Sequence, residues 1–269
     1  MKLMAHGGVG SPRELDRHVR MAVEKGCSDP VDALEAVVGV VSELEDDPVF
    51  NAGTGSRMRL DGSIQMDAAV MFRGNMGAVG GIERVRNPVR VAAEVYKGPY
   101  VFLVGGGARR FARGMGFVSY DTSTEKRREE LLEMQEKISN DEELRRMYHM
   151  VDGGDTVGCV ASLGGEYAAA VSTGGTSYCI RGRIGDSPLV GCGFYAGEHG
   201  AVVTTGKGEE IIKNIAAYRC YEYMKEYGIS GACQKVVEDF PKGISVGVIA
   251  VGEEGTASAS SKEMSQWSL

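Results

Sequence analysis

The sequence lacks the features that would direct the chain to a membrane, an oxidising compartment or a metal. No apolar stretch in its 269 residues approaches the roughly 18 that a transmembrane helix needs, and its first residues do not form a signal peptide. Its six cysteines include no CxxC pair, and no Asn-x-Ser/Thr glycosylation site occurs. We therefore predict a soluble, cytoplasmic protein whose thiols are reduced.

Motifs for nucleotides, metals and serine hydrolysis are also missing. The glycine-rich stretches 104–111 and 204–210 have neither GxGxxG spacing nor the Ser or Thr that follows Gly-Lys in a P-loop. The four histidines are dispersed without HExxH, and no GxSxG elbow is present. A net charge of −7 gives no attraction for nucleic acid or acidic membranes. We expect no cofactor, no nucleic acid and no membrane partner.

Glycine is abundant, and the pattern around it predicts a mixed α+β chain. There are 39 glycines, roughly twice the average share of about 7%. Gly164-Gly165 separates two alternating apolar runs and predicts a hairpin. One helix is predicted to start at a capping box at Ser11, and a second at a cap at Asp29. A long helix is predicted over about 209–227. The charged residues 121–150 predict either a solvated helix or a mobile linker.

The junction Gly153-Gly154-Asp155-Thr156 joins that charged segment to the first strand of the hairpin. A threonine hydroxyl is a weak nucleophile unless a base takes its proton. A free α-amino group, with a pKa of about 7.7 to 8.0, can be that base if Thr156 becomes a new N-terminus. The alternative is a β-branched residue that simply begins a strand. This stretch alone leaves both interpretations open.

Several motifs stand in an order that resembles a known family. They are "HGG" at 6–8, "NAGTGS" at 51–56, "MDA" at 66–68, "GAVGGIERVRNP" at 77–88, "DTVGCVA" at 155–161, "STGGTSYCIRGRIGDSPLVGCGFYA" at 172–196 and "TGKGE" at 205–209. Together they resemble the plant-type L-asparaginase and isoaspartyl peptidase family of N-terminal nucleophile hydrolases. The most specific element is "GRIGDSPLVG". The resemblance covers nearly the whole chain except 121–150.

This resemblance implies a fold and a maturation pathway. The fold would be a single-domain four-layer αββα sandwich over 1–269. The chain would cut itself into an α subunit, 1–155, with a mobile linker over about 121–155, and a β subunit, 156–269. Two such heterodimers would associate as (αβ)2.

The resemblance also assigns catalytic roles. Thr156 would attack first the carbonyl of Asp155 and later the substrate. Thr173 matches a second threonine that hydrogen-bonds near the nucleophile. The Thr205 hydroxyl and the Gly206 N–H match the oxyanion hole, where the loss of one donor typically slows a reaction by roughly a hundredfold or more.

Substrate binding would depend on an oppositely charged pair. Arg183 matches the arginine that holds the substrate α-carboxylate, a task that suits the two parallel donors of a guanidinium. Asp186 matches the partner of the α-ammonium. Without the surrounding motif, the same two residues would be interpreted as a loop ion pair.

The segment 44–54 resembles the family's sodium-binding loop, in which main-chain carbonyls surround the ion. Asn51 would help to orient the nucleophile, or would simply form a turn before Ala-Gly. His6 is predicted to be structural, since the amine of Thr156 supplies the base. The carbonyls assigned to sodium belong to Leu44, Glu45, Asp47, Phe50, Ala52 and Thr54.

The predicted activity is hydrolysis of L-asparagine and β-aspartyl (isoaspartyl) dipeptides, which share an aspartyl unit with free α-carboxylate and α-amino groups. Asp155 departs from the pattern, because the residue before the nucleophile is more often glycine in the asparaginase branch. Asp-Thr at this position resembles glycosylasparaginases instead. Two alternatives therefore remain: an N4-glycosylasparaginase, and an uncleaved protein that only binds aspartyl ligands.

Overall fold

The computed structural model of the protein describes residues 1–140 and 156–269, and these residues form both helices and strands. The prediction of a mixed helix-and-strand fold is confirmed. The helices are α1 Asp16–Gly26, α2 Ala33–Asp46, α3 Pro88–Lys97, α4 Gly105–Gly114, α5 Glu125–Asn140, α6 Gly208–Asn214 and α7 Ala216–Glu238. The strands are β1 Lys2–Val9, β2 Met66–Phe72, β3 Asn75–Ile82, β4 Phe102–Val104, β5 Val157–Leu163, β6 Glu166–Thr173, β7 Phe194–Gly197, β8 Gly200–Gly206, β9 Val246–Gly252, β10 Gly255–Ser260 and β11 Met264–Ser268.

The strands form two sheets. The larger has the order β11-β1-β5-β6-β2-β3-β4 and the smaller the order β10-β9-β8-β7. All neighbouring strands are antiparallel except β3 and β4. The hairpin predicted around Gly164-Gly165 is present as β5 and β6, with Leu163 opposite Glu166.

Period-two alternation of apolar side chains gives both sheets two buried faces. One face of the larger sheet, which includes Leu3 and Val70, packs with apolar residues of α1 to α4. Its other face, which includes Met4 and Met71, packs against Val203 of the smaller sheet. The outer face of the smaller sheet packs against α6 and α7. The interior is therefore three apolar clusters, one on each side of the paired sheets and one between them.

Two predicted helix caps are wrong, because neither side chain caps the helix that follows it. Ser11 does not cap α1, since its hydroxyl donates to Gly8 O at 2.5 Å and it also contacts Ser265. Helix α2 is capped by Asp32, whose Oδ1 accepts from Glu35 N at 2.8 Å, while Asp29 has a left-handed φ of 49°. Each predicted cap therefore serves a loop instead.

The long helix predicted over 209–227 is interrupted. Ile215 adopts φ 48° and ψ 49° between α6 and α7, which turns the chain by a left-handed step. The side chain of a β-branched residue rarely tolerates this conformation, so no local signal predicts it. Of the two predictions for the charged segment, a helix is observed over Glu125–Asn140.

Helix α5 contacts the loops beside it. Arg127 is buried and donates through Nε to Gly55 O at 2.8 Å, and Tyr178 donates its hydroxyl to Glu130 O at 3.1 Å. The remaining predicted linker, 141–155, lies outside the described residues. Among the residues that the structure describes, no helix is both long and apolar enough to cross a bilayer.

Candidate active site

Four of the predicted site residues lie at the ends of strands in the two facing sheets. Thr156 immediately precedes β5, Thr173 ends β6, and Thr205 and Gly206 end β8 on the facing sheet. Val157 pairs with Ser172, so the antiparallel register puts Thr156 opposite Thr173. The pairing of strands thus brings together side chains that are far apart in sequence.

Thr156 is buried, with 4% of its surface exposed, and contacts the opposite sheet. Its backbone N–H donates to Thr205 Oγ1 at 3.3 Å. Its hydroxyl oxygen lies 3.5 Å from Ser187 Oγ. Thr205 Oγ1 also accepts from Val9 N at 3.3 Å, so strand β1 contributes to the arrangement. The α-nitrogen of Thr156 is therefore held by a hydroxyl group in a dry environment.

Gly206 follows Thr205 in a conformation that only glycine adopts readily. Its φ is 138°, and a Cβ at this position would lie 2.2 Å from Ser245 O. The backbone can therefore run close to β9 while remaining beside Thr156. This geometry is compatible with the predicted backbone donor, and the oxyanion role itself stays a prediction.

Thr173 and Asn51 shape the turn that follows β6. Thr173 Oγ1 accepts from Gly175 N at 3.0 Å. Asn51 Nδ2 donates to Gly175 O at 2.8 Å, and its Oδ1 accepts from Arg57 N at 2.8 Å. Both polar atoms of the Asn51 side chain are thus used to join two loops. Any effect of Asn51 on Thr156 would pass through this turn.

His6 lies opposite Gly158 in the pairing of β1 with β5, two residues along from Thr156. Its Nδ1 accepts from Gly8 N at 3.1 Å. Complete burial lowers the pKa of His6 to about 3, although the backbone of Thr156 acts in the opposite direction. The imidazole is therefore neutral at physiological pH, which fits the structural role predicted for it.

Arg183 and Asp186 lie against the same small residue, Gly208, in the first turn of α6. A Cβ at Gly208 would lie 2.8 Å from both Arg183 Nη2 and Asp186 Oδ1. Only a residue without a side chain leaves room for the two charged groups here. The ion pair of Arg183 is made with Glu209, at 3.0 Å, rather than with Asp186 as the loop interpretation supposed.

Asp186 is a buried carboxyl with an unused oxygen. Its Oδ2 is buried and has no hydrogen-bond partner among residues 1–140 and 156–269. Burial raises the pKa of Asp186 to about 7, against the opposing effect of the Arg183 charge. A cation that reaches this carboxyl would stabilise its ionised form, because the contact replaces the hydration that the carboxylate loses on burial. Ser187, the next residue, contacts Thr156, so this vacant acceptor lies near the predicted nucleophile.

The predicted sodium loop begins at the end of α2, which finishes at Asp46. The carbonyls of Leu44 and Glu45 belong to the last turn of α2. Carbonyls in the last turn accept no hydrogen bond from an amide of the same helix, and they lie at the negative end of the helix dipole. Glu45 O accepts from Thr54 N at 2.7 Å and keeps a second lone pair. Such carbonyl oxygens fit a hard cation.

Comparison with known proteins agrees with this geometry. A family model described as Asparaginase matches residues 6–268. The chain belongs to the Asparaginase family. The chain is 39% identical over 278 residues to the plant-type L-asparaginase of Pyrococcus abyssi, which covers 94% of this chain and 90% of that protein.

Two further relatives bear other names within the Asparaginase family. The isoaspartyl peptidase of Escherichia coli (strain K12) is 41% identical over 243 residues, which is 83% of this chain and 74% of that protein. The isoaspartyl peptidase/L-asparaginase of Mus musculus is 38% identical over 236 residues, or 83% of this chain and 70% of that protein. The family resemblance predicted from motifs is confirmed.

Sequence reasoning assigned no role to three residues that complete the site: Asp67, Ser187 and Glu209. All three stand within the motifs that carried the resemblance, in "MDA", "GDSP" and "TGKGE". Asp67 is buried, and its oxygens accept from Gly81 N at 2.7 Å and Gly185 N at 3.4 Å. The signal was therefore present, but the contacts became visible only with the fold. Asp155, the predicted cleavage position, lies outside the described residues.

Proposed function

We propose that this protein is an autoprocessed threonine amidohydrolase that cleaves L-asparagine to L-aspartate and ammonia and hydrolyses β-aspartyl dipeptides. The observation that carries the proposal is the pair of opposite charges at Gly208, next to the buried Thr156. Membership in the Asparaginase family, with relatives named for both activities, supports the same choice.

The substrate class follows from the charges. An aspartyl unit has an α-carboxylate and an α-ammonium on one carbon. Arg183 can receive the carboxylate in two parallel hydrogen bonds, and the unpartnered oxygen of Asp186 can accept from the ammonium. Asparagine and isoaspartyl dipeptides present the same unit, so a single clamp serves both. Specificity beyond that unit would depend on the loops around the leaving group.

Maturation would precede catalysis. The Thr156 hydroxyl attacks the carbonyl of Asp155, the peptide becomes an ester, and water releases the upstream segment. The freed α-amino nitrogen would remain beside Thr205, whose hydroxyl oxygen accepts the backbone N–H of Thr156 in the intact chain. Because Thr156 is buried, little water competes for the amine, and it can take the proton of its own hydroxyl.

Catalysis would then proceed by acyl transfer. The hydroxyl oxygen of Thr156 attacks the side-chain carbonyl of the substrate, while the Thr205 hydroxyl and the Gly206 N–H stabilise the negative charge that develops. The proton taken by the amine passes to the leaving nitrogen, which departs as ammonia or as the amino group of the released amino acid. Water then hydrolyses the aspartyl ester and restores Thr156.

Further features belong to the same proposal. We infer that the paired sheets and their helices form the four-layer αββα sandwich of N-terminal nucleophile hydrolases, cut into 1–155 and 156–269. We also infer association of two processed units, and a sodium ion at the carbonyls that end α2. Thr173 and Asn51 would hold the turn beside the nucleophile.

The direct test is a denaturing gel of purified protein together with an assay of ammonia release. We expect the 28.7 kDa chain to yield fragments of about 16 and 12 kDa, apportioned by length at the cleavage position. The Thr156→Ala variant should remain a single chain without activity. Wild-type activity in that variant would contradict the mechanism, and an intact, inactive wild-type chain would favour a non-catalytic binder. Turnover of glycosylated asparagine in preference to asparagine would favour a glycosylasparaginase.

A further inference from the structure

Glu209 lies behind the guanidinium of Arg183. Its Oε1 is 3.0 Å from Nε and 3.0 Å from Nη2 of that residue. The Arg183 side chain is only 15% exposed, whereas that of Glu209 is 54% exposed. The contact thus ties a largely buried cation to an anion at the rim of the site.

This contact leaves one side of the guanidinium open. A guanidinium has five N–H donors; Glu209 Oε1 accepts the one on Nε and lies at ion-pair distance from Nη2. Within the described residues, Nη1 donates to no protein acceptor, so its two N–H groups and the second N–H of Nη2 remain. This is the edge that can hold a carboxylate through two parallel bonds.

An arginine without this anchor would adopt several conformations. Its side chain has four rotatable bonds. Without an anchor, the conformational entropy of these bonds is lost when the planar ligand binds, and this loss weakens binding. Gly208, just before Glu209, keeps the space beside Nη2 clear. Helix α6 therefore supplies both the gap for the guanidinium and the acid that orients it.

The negative charge of Glu209 also opposes an incoming carboxylate. Solvent reaches Glu209, so this repulsion is screened, whereas the two hydrogen bonds to the buried guanidinium persist. Although partial burial acts in the opposite direction, the charge of Arg183 lowers the pKa of Glu209, and the acid stays ionised at physiological pH. Orientation is therefore the larger effect.

We propose that Glu209 is a positioning residue that fixes the Arg183 guanidinium for the α-carboxylate of the substrate, an inference that rests on the proposed function. Its contribution is to binding rather than to chemistry, because Arg183 holds a part of the substrate that does not react. Loss of such an interaction raises KM and leaves kcat in place.

The test compares Glu209→Ala with Glu210→Ala. Glu210 occupies the same turn of α6 but pairs at the surface with Lys213, at 2.9 Å. On L-asparagine we expect KM to rise about tenfold in Glu209→Ala, with kcat per cleaved chain within about twofold of wild type. Glu210→Ala should match wild type. Glu209→Gln keeps an acceptor oxygen and should recover part of the loss.

Competitive inhibitors separate orientation from a general disturbance of the pocket. L-Aspartate has the α-carboxylate, whereas β-alanine retains the ammonium and side-chain carboxylate without it. Glu209→Ala should weaken inhibition by L-aspartate about tenfold and leave that by β-alanine unchanged. Equal weakening of both would overturn the inference, since the effect would not pass through Arg183.

Other outcomes are equally decisive. A KM in Glu209→Ala that equals or falls below that of Glu210→Ala would overturn the positioning role, as would a fall in kcat at constant KM. Failure of Glu209→Ala to mature would also overturn it, because a contact confined to substrate binding leaves cleavage intact. A wild-type chain without activity on asparagine or a β-aspartyl dipeptide would instead overturn the proposed function.

Discussion

Two buried carboxylates, one beside the loop that carries Arg183 and one in it, are used differently. Asp67, in β2, accepts one backbone N–H on each oxygen, from Gly81 at 2.7 Å and from Gly185 at 3.4 Å. Asp186, in the loop itself, leaves Oδ2 without a partner in the described part of the chain. Burial raises the pKa of both residues. Equal burial therefore does not imply equal function.

The difference lies in what replaces lost hydration. The two backbone amides do so for Asp67 within the folded chain, and this carboxylate joins strand β2 to the loop. Asp186 lacks a complete set of donors among the described residues. The hydrogen bonds of the first carboxylate stabilise the fold, whereas the second keeps a buried oxygen without a partner there, at the expense of stability.

The largest expected effect comes from the vacant carboxylate. Asp186→Asn removes the charge that would receive the substrate ammonium, and truncating one partner of a buried charge pair costs about 2 to 5 kcal/mol. We expect kcat/KM on asparagine to fall at least about thirtyfold. The melting temperature should stay level or rise, because the asparagine needs less hydration than a carboxylate. A clear loss of stability with little loss of activity would reverse the comparison.

Substitution of Asp67, whose two oxygens both accept hydrogen bonds, should have the opposite effect and lower the stability of the fold. Asp67→Asn leaves the N–H of Gly81 or of Gly185 facing an amide donor, and a buried donor without a partner costs about 1 to 3 kcal/mol. We expect the free energy of unfolding to fall by this amount in urea titrations. The measurement uses the Thr156→Ala background, in which the proposed mechanism leaves a single chain. Asp61→Asn, at an exposed carboxylate, is the matched control. An unchanged free energy in Asp67→Asn would contradict the structural role.

A smaller effect is expected from pH. Because the pKa of Asp186 is raised to about 7, acidification protonates the acceptor of the ammonium. Inhibition by L-aspartate should therefore weaken about tenfold for each unit below pH 7. Inhibition by succinate, which lacks the ammonium, should not weaken in this way. Parallel behaviour of the two inhibitors would contradict the role of Asp186.

The same pKa has a consequence for stability without ligand. The folded-state pKa of Asp186 lies above the usual unfolded value of about 3.9. Its contribution is then fully present below pH 4 and is lost as pH rises from about 4 to about 7. In Asp186→Asn this part of the pH dependence of the melting temperature should disappear.

Local signals predicted the elements that depend on neighbours in sequence. The hairpin of β5 and β6 follows from two apolar runs around Gly164-Gly165. Local signals failed at two other positions. Ser11 bonds to Gly8 and Ser265 instead of capping α1, and Ile215 takes a left-handed conformation between two packed helices.

The candidate site likewise contains residues that motifs predict and contacts that only the fold shows. Motifs identified Thr156, Arg183 and Asp186, because their order along the chain is itself the signal. They could not identify the partner of Arg183, which is 26 residues away, or the link between Asp67 and Gly185 across 118 residues. A loop pair of Arg183 with Asp186 satisfied the sequence equally well.

The sequence by itself therefore determined the family, and it predicted the nucleophile and the charged pair. Only the tertiary structure decided how the charges are used, because hydrogen-bond partners depend on distances of a few ångströms between separate elements. Helix α6 brings Glu209 to Arg183, and among residues 1–140 and 156–269 one oxygen of Asp186 has no hydrogen-bond partner. Burial then makes that unpaired oxygen costly, and a ligand cation is what removes the cost.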